Sequence, residues 1–309
     1  MIIIKSINNI DNIYKSVVTI GNFDGVHKGH QVLIKEAVQF ANKRNIKSVV
    51  FTFDNHPANY FEKKHVKSII TNNEKINRIK SLGVDILVII PFDIYMTKIS
   101  PIEFIKGILI DKLGARKIIV GHDFTFARRK EGNTKLLKEM SFKYGFELEI
   151  VNPIKVNDIR VSSTYIRQLV AEGSVDKVNK YLGYHCEIKG NVIKGKQLGR
   201  TIGFPTANIE INDDLLIPNN GIYATKVYVH NDVYYGATNI GYNPTVNGDK
   251  LSIETNILEF DEDIYGQVIK IEFLERIRDE KKFNSLEELK AQLKKDTDYV
   301  YKNYVCKNK

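Results

Sequence analysis

The hydrophobic pattern of this chain changes character once, at Leu182-Gly183, and that change limits the fold more than any other feature. Before it, short β-branched runs near Val17–Phe23, Lys47–Phe53, Val84–Ile90, Lys117–Val120 and Phe146–Val151 alternate with stretches of helical period. In Gln31–Asn42 the apolar residues Val32, Leu33, Ala37, Val38 and Ala41 recur at helix spacing, and Glu103–Leu113 behaves alike. Such alternation predicts parallel strands joined by right-handed helical crossovers, a doubly wound α/β sheet whose ligands sit at the carboxyl ends of the strands.

After Leu182-Gly183 the texture is all β: His185–Val192, Thr206–Ile211, Ile222–His230, Val233–Gly241, Ile253–Phe260 and Val268–Phe273. Six strands at this spacing predict a small closed barrel, with a hairpin turn at Asn231-Asp232. Ser285 then opens a capping-box pattern, Ser-Leu-Glu-Glu, and a helix to about Tyr301 with Leu286, Leu289 and Leu293 on one face. Two domains are expected, 1–184 and 185–309, meeting near residues 183–187. A length of 309 residues supports two separate cores.

The two cysteines, Cys186 and Cys306, have neither metal spacing nor a CxxC, which suits free thiols in a cytoplasmic protein. The start, MIIIKSINNI, turns polar too early for a signal peptide, and the longest apolar run, Val84 to Pro91, is too short for a bilayer. No membrane partner is therefore expected. The net charge of +9 is uneven: residues 1–185 hold 29 Lys+Arg against 18 Asp+Glu, and the remainder hold 17 against 19. A basic half serves nucleic acid or a nucleotide equally, and charge alone does not separate them.

GNFDGVHKGH, Gly21 to His30, follows a strand and opens a helix. Gly21, Gly25 and Gly29 allow a sharp turn and close approach to a ligand, and the helix start offers free N–H groups to an anion. His27 and His30, three apart, share one side of the first turn, where both imidazoles can donate to phosphate oxygens. Zinc is the competing reading, but the spacing is not HExxH and no third ligand stands nearby. Ser162, Ser163 and Thr164 begin a second helix with Arg167 one turn in, which reads either as donors for a pyrophosphate or as an ordinary cap beside a solvated arginine. In GHDFTFARR, Asp123 and the aromatic pair Phe124 and Phe126 suit a planar ring, with Arg128 and Arg129 as phosphate contacts, or else form a solvated basic loop.

In the β half, Gly190, Gly195, Gly199 and Gly203 space a loop that also carries Lys194, Lys196 and Arg200. Thr206 and Asn208 follow at alternate positions of a strand, so their oxygens share one face, an arrangement that suits magnesium. A barrel hairpin with turn glycines explains the loop equally well.

These segments together resemble a known family. GNFDGVHKGH is similar to the HxGH signature of the nucleotidyltransferase superfamily, in the GxFDGxHxGH form of bacterial bifunctional riboflavin kinase/FAD synthetases. FTFDNHP, GHDFTFARRKEGN and VSSTYIRQLVAEG resemble that family's FxFxxHP, G-x-[DN]-F-x-F-G and SSTxIR motifs, in the family's order. GRTIGFPTAN, GATNIGYNPTV and SIETNILEFDEDIYGQ resemble riboflavin kinase segments, the last holding that family's glutamate at Glu254. The resemblance implies an N-terminal Rossmann-like nucleotidyltransferase domain and a C-terminal six-stranded β-barrel kinase domain with a terminal helix. It implies phosphorylation of riboflavin to FMN, then adenylylation of FMN to FAD with loss of pyrophosphate, using ATP and Mg2+ and no nucleic acid. Glu254, His27 and His30 would be catalytic. Gly21, Phe23, Asp24, Gly25, Gly29, Asp123, Ser162, Ser163, Thr164, Arg167, Gly195, Gly199, Arg200, Thr206 and Asn208 would bind nucleotide, with Thr206 and Asn208 on the metal. Phe124, Phe126 and Arg278 would contact flavin. The chain departs from the family pattern at Ala127, usually glycine, and at Asn256, commonly histidine or tyrosine.

Overall fold

The structure, a computed structural model, describes the chain except positions 12, 14, 62–64, 196–197, 246–247 and 308–309. The phosphate contact expected of Lys196, and Val246 at the end of GATNIGYNPTV, lie outside the described residues. The chain forms two compact units, Met1–Ser163 and Thr164–Lys309.

The first unit is built on six parallel strands: β1 (Ile2–Ile4), β2 (Ser16–Ile20), β3 (Lys47–Phe53), β4 (Ile86–Ile90), β5 (Ala115–Gly121) and β6 (Glu147–Val151), in the order β1-β4-β3-β2-β5-β6. All five residues of β2 and of β4 are buried, as expected of strands covered on both faces by helices. Val18, Phe51, Val88 and Ile118 pack with Phe104 and Ile108 from a helical segment wound as a π-helix over Phe104–Lys112. From β2 the chain runs outward through β3 and β4, then returns to β5 on the other side of β2. That reversal opens a crevice at the carboxyl ends of β2 and β5, the place where doubly wound sheets bind ligands. The Gly21 turn leaves one lip of it and the Gly121–Asp123 loop the other. Helix α1 (Lys28–Arg44) follows the turn, and helix α2 (Asn72–Ser81), started by a capping box between Thr71 and Glu74, precedes β4.

Strand β1 has no counterpart in the periodicity reading. Three residues are too few to show a period, and at the sheet edge Ile2 and Ile3 stay exposed, so no burial pattern marks them.

In the second unit, helices α3 (Ser163–Ala171) and α4 (Val175–Leu182) lead into a closed antiparallel barrel. Its strands are β7 (Glu187–Ile193), β8 (Ala207–Ile209), β9 (Gly221–Val229), β10 (Asp232–Thr245), β11 (Gly248–Ile257) and β12 (Val268–Arg278), closing in the order β7-β8-β11-β10-β9-β12. The α3–α4 pair belongs with the barrel because Asn179 clasps it twice: its Nδ2 donates to Phe273 O (2.8 Å) and its Oδ1 accepts from Cys186 N (2.7 Å). Inside the barrel, Thr225, Thr238 and Thr255 satisfy one another across three strands, with Oγ1–Oγ1 distances of 2.8 Å, and Thr225 donates to Gly236 O. Leaving such a buried hydroxyl unpaired costs about 1–3 kcal/mol.

The β9–β10 turn is His230-Asn231, one residue earlier than Asn231-Asp232, because Asp232 already pairs with Val229 and His230 takes the positive φ of 52°. The final helix, α5 (Leu286–Val300), starts at Ser285 as its sequence predicts, with Ser285 Oγ accepting from Glu288 N. Its buried face, however, is Asp296, Thr297 and Val300; Leu286 is 53% exposed. Val300, packed with Ala224 and Ala237, and the Asp296 carboxylate seat it in place of the leucine stripe.

Candidate active sites

The first site is a strained turn. Phe23 (φ 46°), Gly25 (φ 80°) and Val26 (φ 34°) all adopt positive φ within four residues, and backbone strain of this kind collects at ligand sites. The turn is held from below. Phe23 is fully buried, Thr52 Oγ1 donates to Asn22 O, Gly21 N donates to Phe51 O, and Asp24 accepts from Ile69 N (3.0 Å). At Gly25 a Cβ would fall 3.2 Å from Ile69 and require the wrong backbone, which explains that glycine. At Gly29 a Cβ would press on the His27 ring at 3.2 Å.

His27 caps α1: its Nδ1 accepts from His30 N (3.2 Å), which places the ring proton on Nε2. The two imidazoles stack at 3.6 Å between centroids, 13° from parallel, and Phe23 meets His30 edge-on at 5.1 Å. His30 Nδ1 is enclosed and has no hydrogen-bond partner among the described residues. Burial first, then the charges of His27 and Lys75, push the His30 pKa well below its usual value, which favours the neutral imidazole. Ser163 Oγ donates to Asp24 O (3.1 Å), bringing the serine motif onto the same turn. Thr164 and Arg167 continue that helix in the second unit.

Across the crevice, Asp123 is ion-paired to Arg160, with His122 at 3.7 Å. Burial works against its charge, and the hydrogen bond and charge of Arg160 outweigh that, so the carboxyl titrates below its usual range. The stacked rings of Phe124 and Phe126, 5.4 Å apart, differ in setting: Phe126 is in the core against Phe104, over Gly132, while Phe124 is half-buried at the edge. Arg128 is paired with Glu131. Sequence reasoning missed Arg160 and Lys75. Arg160 sits in a two-residue strand without motif spacing, and Lys75 lies in a helix whose sequence also carries Arg78 and Lys80, so nothing in the pattern singles it out.

The second site lies on the barrel. Register places Asn208 beside Glu254, and Glu254 beside Asn239, so these three side chains form a row on one face of β8, β11 and β10. Thr206, two residues before Asn208, shares that face. A cavity of about 350 Å³ is lined by Arg200, Thr206, Asn208 and the acidic segment Asp261–Asp263. Gly195 runs directly against the Asn208 carboxamide, where a Cβ would fall 2.5 Å from Cγ; Gly199 packs on Phe204 O. The loop glycines therefore let backbone close over the strand oxygens. Asn256 Nδ2 donates to Pro205 O (2.7 Å), so this departure from the family pattern fixes the Pro205-Thr206 corner. Arg278 gives its Nε and Nη2 to Asp296, at 3.0 and 2.6 Å, and its Nη1 to Asp279 O.

Comparison with known proteins agrees with both halves. A family model described as FAD synthetase matches residues 9–165, and one described as riboflavin kinase matches 182–304. A bifunctional riboflavin kinase/FMN adenylyltransferase from Listeria monocytogenes is 40% identical over 91% of this chain and 90% of its own length. The Bacillus subtilis protein of the same name is also 40% identical, with the same coverage. Among solved structures, a macrolide-efflux protein from Streptococcus pneumoniae is similar with a TM-score of 0.90 at 34% identity, covering 98% of this chain and 99% of that one. Among the described residues, no helix of this chain is long and apolar enough to cross a membrane.

Proposed function

The chain belongs to the bifunctional riboflavin kinase/FMN adenylyltransferase family, and from that premise we propose how its residues divide the two reactions. The protein phosphorylates riboflavin to FMN with ATP and adenylylates FMN to FAD with release of pyrophosphate. We assign the second reaction to residues 1–184 and the first to 185–309, in a cytoplasmic enzyme.

In the kinase half the observation that carries the assignment is the register pair Asn208–Glu254, whose Asn208 lines the cavity. Riboflavin's 5′-hydroxyl is a poor nucleophile, and Glu254 takes its proton as it attacks the γ-phosphate of ATP. The Gly195–Gly199 loop and Arg200 hold the phosphates. Hard oxygen donors on one face, closed over by a glycine that admits no Cβ, fit a magnesium ion held by Thr206 and Asn208. When bound, that ion neutralises charge on the phosphate oxygens.

In the adenylyltransferase half no base is required, because the acceptor is a phosphate already ionised at neutral pH. His27 Nε2 and the neutral His30 ring donate to oxygens of the α-phosphate as charge spreads in the in-line transition state. The Gly21–Gly29 turn with Phe23 and Asp24, Ser162 and Ser163, and Asp123 shape the nucleotide pocket. Phe124 offers a ring face to the flavin with Phe126 behind it, and Arg278 braces the rim of the kinase flavin site through Asp296.

Glu254→Gln separates the two halves. FMN formation should fall at least about a hundredfold while FAD formation from supplied FMN persists. Replacing His27 and His30 by Ala should do the reverse. Loss of both products in either variant would contradict the division.

A further inference from the structure

Lys75 is a buried charged group of the first unit that neither motif nor mechanism uses. It lies on the inner side of α2 and is 5% exposed. Its Nζ donates to Phe53 O at 2.9 Å, at the carboxyl end of β3, and that is its one hydrogen bond among the described residues. Among the described residues no carboxylate lies within ion-pairing distance of it. Asp24 and Asp54 are close enough to be felt without pairing with it, and Asp24 Oδ1 accepts from Ile69 N.

A buried ammonium without a paired anion is costly, since dehydration is repaid only by a charge or by a full set of hydrogen bonds. Two of its three N–H donors are unused. It is held at the ligand edge of the sheet, one strand from the Gly21 turn, and near enough to His30 to act on that ring's charge. His30 Nδ1 is likewise enclosed without a hydrogen-bond partner among the described residues. A phosphate would answer both: it supplies the missing charge and accepts the spare N–H bonds. A purely structural strut would need one donor and no charge.

We propose that Lys75 is a phosphate-binding residue of FAD formation, its Nζ held on Phe53 O and donating its remaining N–H bonds to a phosphate oxygen of the bound substrate. The phosphate belongs to the ATP chain or to FMN, and kinetics distinguish them. This inference rests on placing adenylyl transfer at the Gly21–His30 turn.

The test uses the full chain with Lys75→Met, which keeps length and removes charge, and Lys75→Arg, which keeps charge. FAD formation is followed with ATP and FMN varied separately, pyrophosphate is used as product inhibitor, and riboflavin phosphorylation by the same sample serves as a check on integrity. A charge-assisted contact predicts at least about a tenfold fall in kcat/KM for the substrate concerned in Lys75→Met, with recovery in Lys75→Arg. If ATP is held, its KM and the pyrophosphate inhibition constant rise together while the FMN KM stays; if FMN is held, only its KM rises. Both constants within twofold of wild type, or equal losses in the two variants with a lowered melting temperature, would overturn the inference. Should Lys75→Met not fold, the Nζ signal of Lys75 in 15N-lysine-labelled wild-type protein is titrated with pyrophosphate and with FMN. A shift with either supports phosphate contact, and no shift with both refutes it. A wild type that makes no FAD at all would instead refute adenylyl transfer itself.

Discussion

Ala127 has φ 61° and ψ −169°, a backbone conformation that glycine adopts freely and a β-carbon resists. The residue that departs from the family's glycine therefore keeps glycine's backbone path. It does so at a local cost of about 1–3 kcal/mol, reduced by the extra freedom glycine would have in the unfolded chain. Ala127→Gly should raise the stability of the first unit by about 1 kcal/mol, read as a higher urea midpoint, with FAD formation retained. An unchanged or lower midpoint would show that the loop is not strained there. The adjacent positive φ of Arg129 and Lys130 makes the same segment unreadable from sequence, since neither residue type signals a left-handed turn. Residue types with one strong physical meaning were legible: glycines in a turn, histidines three apart, a serine before a helix. Lys75, Arg160 and Asp296 were not, because their roles come from partners on other elements.

At the scale of elements, the strands of the parallel sheet could be read because total burial demands unbroken apolar runs, and the barrel strands because one face alternates. Ends and anchors could not. Helix α5 shows this: its leucine pattern predicts the apolar seat, yet the buried contacts are Val300 against Ala224 and Ala237 and the Asp296–Arg278 pair, with Asp296 only 3% exposed. Asp296→Ala should destabilise the second unit by about 3 kcal/mol, because it leaves the Arg278 guanidinium partly buried and uncompensated. A change below about 0.5 kcal/mol in urea unfolding would deny that anchor. On the first unit, Glu36 of α1 faces Glu149 of β6, which is paired with Lys117 of β5 at 2.6 Å. Burial first, then the charge and hydrogen bond of Glu149, raise the Glu36 pKa above its usual 4.5. The folded state thus binds this proton more tightly than the unfolded chain. The resulting stability is complete below the usual value and is lost as pH rises through the raised one. Glu36→Gln, permanently neutral, should raise the melting temperature at about pH 7 and leave it nearly unchanged at about pH 4. An equal gain at both values would assign it to packing.

For the whole molecule, the two reactions place opposite demands on their sites. An alcohol must lose a proton, and on the proposed division that falls to Glu254, which the barrel register sets beside Asn208. A phosphate needs only alignment and charge stabilisation, and the strained turn supplies stacked imidazoles and a helix start at the switch point of a parallel sheet. The order of motifs announced both sites, while the acceptor of the first became legible only through the chemistry of the second. The most direct measurement is a time course of riboflavin with ATP and Mg2+, with FMN, FAD and pyrophosphate resolved. FMN should appear first and then convert to FAD with one pyrophosphate released per FAD. Accumulation of FMN that never becomes FAD, even when FMN is supplied directly, would contradict the account.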